Sequence, residues 1–203
     1  MAAVSYTHLD VYKRQDLPQA LEDEGGWCVR DTAERFAEYV DIVAHALGDG
    51  VTRWITLNEP WCSAWLGYGS GRHAPGVHDL GRAAAANHHL LLAHGLAVPI
   101  LRAAGPKTEV GITLNLGVFR PGTDHEEDVA AAQRADGNLN RLFLEPVFHA
   151  RYPEDMLDHY AGFAPGFSVV RDGDLTTIST PLDFLGINYY FPGTVMDLSL
   201  IHI

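Results

Sequence analysis

The chain has 203 residues, of which 47% are apolar and 20% charged, and this is enough for one domain with a sizeable core. Its 26 acidic residues outnumber its 14 basic ones, and the net charge of −12 argues against binding to nucleic acid or to an anionic membrane surface. The sequence has no run of 18 apolar residues and no secretion signal at its start. We therefore expect a soluble cytoplasmic protein without a transmembrane helix, in which Cys28 and Cys62 are free thiols.

The first predicted helix begins at Asp31. Asp31 and Glu34 have the spacing of a capping box, in which each side chain accepts a hydrogen bond from a backbone N–H of the first turn. Apolar residues then recur at helical spacing and predict one face toward a core: Phe36, Val40, Val43 and Leu47. Gly48 and Gly50 should end this helix.

An apolar run from Val51 to Leu57 follows, and such a run is typical of a buried strand in a parallel sheet. Pro60 lacks a backbone N–H, so the strand should end before it. Asn58 and Glu59 are thereby placed at the carboxyl end of a strand, where α/β folds build their active sites. A carboxylate and an amide at that position, with two tryptophans nearby, predict carbohydrate chemistry.

The next part of the chain repeats this order of elements. Residues 60–79 are predicted to form a long glycine-rich loop, and a helix should run from Leu80 to about Ala104 with a kink or break at Pro99. Residues 110–115 are again apolar, end in an asparagine and predict a second strand.

A third helix is expected to begin after Thr123 or Asp124 and to reach about Arg151, with Gly137 as a weak point inside it. Residues 152–182 contain several prolines and glycines and are predicted to be irregular.

Residues 184–190 predict a third complete strand, and residues just before Asp16 could be the end of a fourth. Strands that alternate with helices predict a parallel sheet with right-handed crossovers. The fold class is therefore α/β.

The segment Trp54–Trp61 resembles the Thr-(Leu/Phe)-Asn-Glu-Pro signature of family 1 glycoside hydrolases, the β-glucosidase family. Four more segments resemble that family in the same order and at the same spacings: Asp16–Leu21, Gly67–Gly76, Gly111–Asn115 and Asp183–Tyr190. The resemblance implies that residues 16–196 form a partial (β/α)8 TIM barrel, roughly strands three to six with their helices. A whole barrel takes about 250 residues.

The two ends of the sequence depart from the family pattern. Where the family has His-Trp just before the Asp-Leu-Pro-Gln segment, this chain has Arg14-Gln15. That histidine would bind the sugar in the family. Our hypothesis is that residues 1–15 and 197–203 are not native sequence.

The resemblance also implies a retaining β-glycosidase that hydrolyses terminal β-linked glucosides or galactosides, with fucosides and 6-phospho-glycosides still open. Retention requires two carboxyl groups about 5–5.5 Å apart. Glu59 would be the acid/base, whereas the family's nucleophile lies in a Glu-Asn-Gly segment that this sequence lacks. Asp183 cannot replace it, because it lies on the last strand seven residues before Tyr190, which places it about 20 Å away at the opposite end of the barrel.

Five further residues would bind substrate if the resemblance holds. Asn58 would bind the sugar 2-hydroxyl, Trp61 would form a platform for the aglycone, and Tyr190 would donate a hydrogen bond to the nucleophile. Asn188 and Asn115 would line the same opening. The alternatives are that the asparagines only end their strands and that Trp61 is a core aromatic.

No cofactor or metal is expected. His88, His89 and His94 lack the i, i+4 spacing of a helical metal site, and no carboxylate completes a ligand set, so a structural or solvent-facing role is expected for them. The partner would be a small carbohydrate or an aryl or alkyl β-glycoside. The competing hypothesis is a catalytically inactive partial barrel, whose outer strands expose unpaired edges.

Overall fold

The computed structural model describes residues 17–162 and 165–197, so the two predicted non-native ends, apart from Asp197, and the predicted strand before Asp16 lie outside the described residues. Three parallel strands form the main sheet in the order β1 (Arg53–Asn58), β2 (Glu109–Asn115), β4 (Phe184–Asn188). A second sheet, absent from the sequence prediction, pairs β3 (Phe119–Pro121) with β5 (Gly193–Val195). Strands of three residues are too short to show an alternating pattern.

Helices connect the strands of the main sheet. The α-helices are α1 (Gln19–Asp23), α2 (Arg30–Leu47), α3 (Leu80–Ala103), α4 (Glu126–Asp136), α5 (Leu142–His149), α6 (Glu154–Ala161) and α7 (Asp174–Ile178). Short 3₁₀ turns occupy Gly26–Cys28, Gly48–Gly50 and Pro165–Val169. Two wider, π-helical segments occupy Cys62–Gly69 and Gly137–Arg141.

The central element of the core is α3, which is buried on all sides: Leu90, Leu91 and Leu92 are consecutive and none is exposed by more than 1%. Its length and composition would allow it to cross a membrane, but 83% of its most apolar window is buried inside the protein. The helix also continues through Pro99, so of the two predicted effects of this proline, a kink or a break, the break is wrong. Tertiary packing explains this, because Leu101, beyond the proline, is buried in the same cluster as Val110.

The strands of the main sheet differ in burial. Along β2 all five residues from Val110 to Leu114 are buried: Val110, Ile112 and Leu114 pack against the helices, and Gly111 and Thr113 face the other way. The prediction that β1 is a buried strand is wrong, because of its side chains only Leu57 is fully buried and Ile55 is 49% exposed. In the described part of the chain β1 is an edge strand with one face covered, so its apolar residues are not all enclosed.

The predicted capping box at the first long helix does not form. Helix α2 begins at Arg30 with Val29 in the capping position, one residue earlier than predicted. Asp31 therefore lies inside the first turn and accepts a hydrogen bond from Arg35, and Glu34 pairs with Arg30 at 3.3 Å. These are i, i+4 pairs along the helix surface.

The third predicted helix is divided in two at the weak point that Gly137 indicated. Between α4 and α5 the backbone widens at Gly137–Arg141, and a Cβ on Gly137 would lie 2.1 Å from the Met156 sulfur. The predicted caps are wrong: α4 begins after His125, and Thr123 instead accepts a hydrogen bond from the His125 N–H and donates one to Asp128.

Part of the region predicted to be irregular is helical. Helices α6 and α7 lie within residues 152–182, and Met156 and Tyr160 of α6 are buried. Each helix is eight residues or fewer, bounded by the prolines and glycines that suggested a loop.

Candidate active site

The site lies at the carboxyl end of β1, where Glu59 leaves the sheet. Its N–H donates to the Thr113 carbonyl of β2 over 2.8 Å, so the backbone is still tied to the neighbouring strand. Glu59 has φ of +51°, a left-handed conformation that non-glycine residues rarely adopt and that tends to occur at functional sites. The chain turns here, and Pro60 begins the next helical segment.

Donor groups contact both carboxylate oxygens of Glu59. Asn188 donates from Nδ2 to Oε1 over 2.7 Å, and the Tyr190 hydroxyl lies 3.5 Å from the same oxygen. The Cys62 thiol lies 3.4 Å from Oε2. Asn188 also contacts Oδ1 of Asn58 at 3.1 Å, so a single amide orients the last residue of β1 and the residue that follows it.

The strand register explains why these side chains meet. Asn188 pairs with Asn115 across β2 and β4, and paired residues of parallel strands project to the same face. On β1 the register shifts, because the four residues from Ile55 to Asn58 oppose the three residues from Gly111 to Thr113. This extra residue rotates Asn58 onto the face that carries Asn188, as a β-bulge does.

Gly186 allows β2 and β4 to approach closely below the site. A Cβ at this position would lie 2.2 Å from Oγ1 of Thr113, its register partner, and Thr113 is buried. The strand that carries Asn188 therefore requires glycine two residues earlier.

Trp61 is held by its indole edge. Its Nε1–H donates to Oδ1 of Asn138 over 2.8 Å, and Asn138 donates to the Tyr160 hydroxyl over 2.8 Å. Trp61 is half-buried and lines an open cleft of about 460 Å³, whose walls also include Trp65 and Arg72.

The structure thus brings together four of the six predicted site residues: Asn58, Glu59, Asn188 and Tyr190. Asn115 lies beside Asn188 in the ladder. Trp61 follows Glu59 by two residues, and its indole N–H donates to Asn138. Tyr190 is 74% exposed, and Glu59, Asn58, Asn115 and Asn188 are half-buried, so the site is open to solvent.

Two residues at the site were not predicted. Cys62 follows Glu59 by three residues. If Pro60 is interpreted as the start of a helix, this spacing predicts that the two side chains are neighbours. Asn138 comes from a distant segment, and no local pattern connects it to Trp61.

The buried histidines bind protein groups. His88 lies between the Tyr152 hydroxyl and the Asp174 carboxylate, each at 3.0 Å, and Arg30 forms a two-pronged pair with Asp174. His89 contacts the Trp27 carbonyl at 3.1 Å. Within residues 17–162 and 165–197, no three histidine, cysteine or acidic side chains cluster in a way that could hold a metal ion.

Comparison with known proteins settles the family. Residues 8–200 match the family model described as glycosyl hydrolase family 1. The chain belongs to glycosyl hydrolase family 1. The three parallel strands and their helices are accordingly part of a (β/α)8 barrel, as predicted.

Several members of family 1 are similar to this chain. A β-glucosidase of Agrobacterium sp. is 43% identical over 90% of the chain and 39% of its own length. A bifunctional β-D-glucosidase/β-D-fucosidase of Bifidobacterium breve is 46% identical over 86% of the chain and 38% of its own length. The chain therefore spans about two fifths of the length of these relatives.

Solved structures of the family superpose well on the chain. The psychrophilic β-glucosidase of Micrococcus antarcticus has a TM-score of 0.85 at 46% identity, over 89% of this chain and 38% of the other. Virulence factor SghA, solved with its substrate analog salicin, has a TM-score of 0.86 at 39% identity, over 94% of this chain and 41% of the other.

Proposed function

We propose that this chain carries the acid/base carboxylate of a retaining β-glycosidase that hydrolyses terminal β-linked glucosides or galactosides. The observation that supports this most strongly is the position of Glu59, at the carboxyl end of a barrel strand with Oε1 held by Asn188 at 2.7 Å. Its family 1 relatives are named for action on β-glucosides, and one also for action on β-fucosides.

In this proposal Glu59 acts twice. A glutamate from a Glu-Asn-Gly segment beyond this sequence attacks the anomeric carbon, and the glycosidic oxygen leaves with the proton of Glu59. Glu59, now ionised, takes a proton from a water molecule whose oxygen attacks the same carbon and releases the glutamate. The proton therefore leaves and returns to one carboxyl group, which must be held in one place during both steps.

The neighbouring residues would bind the substrate. Asn58, oriented by Asn188, would bind the sugar 2-hydroxyl, and Asn115 and Asn188 would line the opening. Tyr190, at the exposed rim, would donate to the nucleophile carboxylate. Trp61 would form the aglycone platform, with its indole edge fixed by Asn138. Aryl β-glucosides are suitable probes, because SghA was solved with a substrate analog of that type, salicin.

The second candidate is that the 203-residue chain alone is an inactive partial barrel. The edges of its described main sheet are β1 and β4, which expose Ile55 (49%) and Ile187 (57%). Parallel strands are normally covered on both faces and paired with neighbours, so each of these two edges requires further protein against it.

The two candidates are separated by assaying phenyl β-glucoside hydrolysis by the 203-residue chain and by a longer protein in which the same chain is joined to the remaining barrel. We expect turnover only by the longer protein, with loss of that turnover in Glu59→Gln. Turnover by the chain alone, abolished by Glu59→Gln, would refute the inactive candidate. A longer protein that folds and hydrolyses none of the β-glycosides would refute the proposed enzyme.

A further inference from the structure

Cys62 lies directly against the proposed acid/base. It begins the wide helical segment Cys62–Gly69, and its backbone N–H donates to the Glu59 carbonyl over 2.9 Å. This turn brings the Cys62 thiol to 3.4 Å from Oε2 of Glu59, a normal distance for a thiol hydrogen bond. The other cysteine, Cys28, lies elsewhere and contacts the Arg82 carbonyl.

The two oxygens of Glu59 have different surroundings. Oε1 accepts the 2.7 Å hydrogen bond from Asn188, whose amide N–H is a donor and cannot accept a proton in return, whereas Oε2 faces the Cys62 thiol. In the neutral acid the proton therefore belongs on Oε2, the oxygen beside Cys62. Oε2 would then give the proton to the leaving group and later take one from water.

We propose that Cys62 is a positioning residue for Glu59: its thiol holds Oε2 in the orientation that proton transfer requires. This inference rests on the proposed function. The last torsion of a glutamate side chain has a broad energy minimum, so contacts to Oε1 alone leave the carboxyl plane free to rotate. A second contact, on Oε2, fixes that plane. The thiol donates to Oε2 when Glu59 is ionised and packs against it when Glu59 is neutral.

The charge state of the thiol agrees with this role. Burial, together with the adjacent Glu59 carboxylate, raises the pKa of the Cys62 thiol to about 12. Cys62 therefore keeps its proton at neutral pH and serves as a donor, since only the thiolate is a strong nucleophile.

The contact can be tested without enzyme activity. Iodoacetamide alkylation is followed at both cysteines by peptide mass spectrometry at pH 8–9, in the chain and in its Glu59→Gln variant. We expect alkylation of Cys62 to become about tenfold faster in the variant, because a fall of one unit in the thiol pKa raises the thiolate fraction tenfold. Cys28 is the internal reference and should not change. An unchanged rate at Cys62, or equal changes at both cysteines, would overturn the contact.

The positioning role is tested in the longer protein with two β-glucosides. Phenyl glucoside needs a proton on its leaving oxygen, whereas 2,4-dinitrophenyl glucoside does not, so only the first depends on how Glu59 is held. We expect Cys62→Ala to lower kcat/KM for phenyl glucoside about tenfold, to change kcat/KM for the dinitrophenyl substrate less than about twofold, and Cys62→Ser to restore most of the loss. Cys28→Ala, the matched control, should leave both values unchanged.

Each outcome has a separate meaning. Equal losses on both substrates would indicate a general structural effect and overturn the positioning role, as would no loss on either substrate. If the unaltered longer protein hydrolyses neither glucoside, the proposed function itself fails, and the alkylation experiment still decides whether Cys62 contacts Glu59.

Discussion

Asn188 donates a hydrogen bond of 2.7 Å to Glu59, a residue 129 positions away in the sequence. The same amide contacts Asn58, so one side chain at the end of β4 organises the end of β1. The geometry of the candidate site therefore depends on the pairing of both strands with β2.

Replacing Asn188 by alanine should lower activity without a comparable loss of stability. Oε1 of Glu59 would lose its shortest hydrogen bond, and we expect kcat/KM of the longer protein for phenyl β-glucoside to fall about ten- to a hundredfold, or about 1.4–2.8 kcal/mol. The melting temperature should change little, because Asn188 is only half-buried. A variant with unchanged kcat/KM would show that this amide does not hold the acid.

Because β2 and β4 approach closely at Gly186, one added methyl group there should lower the stability of the fold. Gly186→Ala puts a Cβ against the Thr113 hydroxyl, and we expect the free energy of unfolding to fall by about 2 kcal/mol, as in other overpacked cores. Gly162→Ala is the matched control: among the described residues, and apart from its own chain neighbours, nothing comes within 4 Å of a Cβ there, so stability should change by less than about 0.5 kcal/mol.

The same clash offers a rescue experiment. Thr113→Ala removes the hydroxyl that the new Cβ would meet, so the double variant should recover part of the stability lost in Gly186→Ala. Urea denaturation measures all three variants. Additive losses in the double variant would contradict the proposed contact.

Asn138 should control the orientation of Trp61. Asn138→Ala leaves the indole N–H without its acceptor, and we expect KM for aryl β-glucosides to rise several-fold with a smaller change in kcat, since the platform would act in binding. Asn138→Asp keeps an acceptor for Trp61 and should remain closer to the unaltered protein. Equal kinetics for the alanine variant and the unaltered protein would count against an aglycone role for Trp61.

The buried network around His88 should make stability depend on pH. Burial lowers the pKa of His88 and lowers that of His89 to about 4, so both are neutral in the folded protein at pH values where the unfolded chain is protonated. The unfolded state therefore binds more protons below about pH 6.5, and the free energy of unfolding should fall as the pH is lowered from 6.5 toward 4.

Asp174 should cause a second loss of stability at lower pH. Burial alone would raise the pKa of this carboxyl, but hydrogen bonds from Arg30, the Arg171 N–H and His88 outweigh it and hold the pKa well below its usual range. Its contribution is complete above about pH 4 and is lost as the pH falls toward the folded pKa. Asp174→Asn should cost about 3 kcal/mol at pH 7, because Arg30 loses its buried partner. A free energy of unfolding that stays constant from pH 6.5 to pH 4 would contradict the histidine prediction, and one that stays constant below pH 4 would contradict the prediction for Asp174.

Local sequence signals located the acid but not the residues that hold it. Pro60 ends the strand whatever its tertiary contacts, because it lacks a backbone N–H. The position of Glu59 at a strand end could therefore be predicted. The register shift on β1 could not, because it depends on pairing with a strand more than 50 residues away. The hydrogen bond between Trp61 and Asn138 is likewise a long-range contact. The tertiary packing that buries α3 and allows it to continue through Pro99 is also long-range.

The central claim is that Glu59 is the acid/base of a retaining mechanism. The most direct test is Glu59→Ala in the longer protein with 2,4-dinitrophenyl β-glucoside and sodium azide. Without its base the covalent intermediate should form and then react slowly with water, whereas azide needs no base to attack. We predict that azide accelerates turnover and that the product is the β-glucosyl azide. No acceleration, or an α-glucosyl azide, would contradict the assignment.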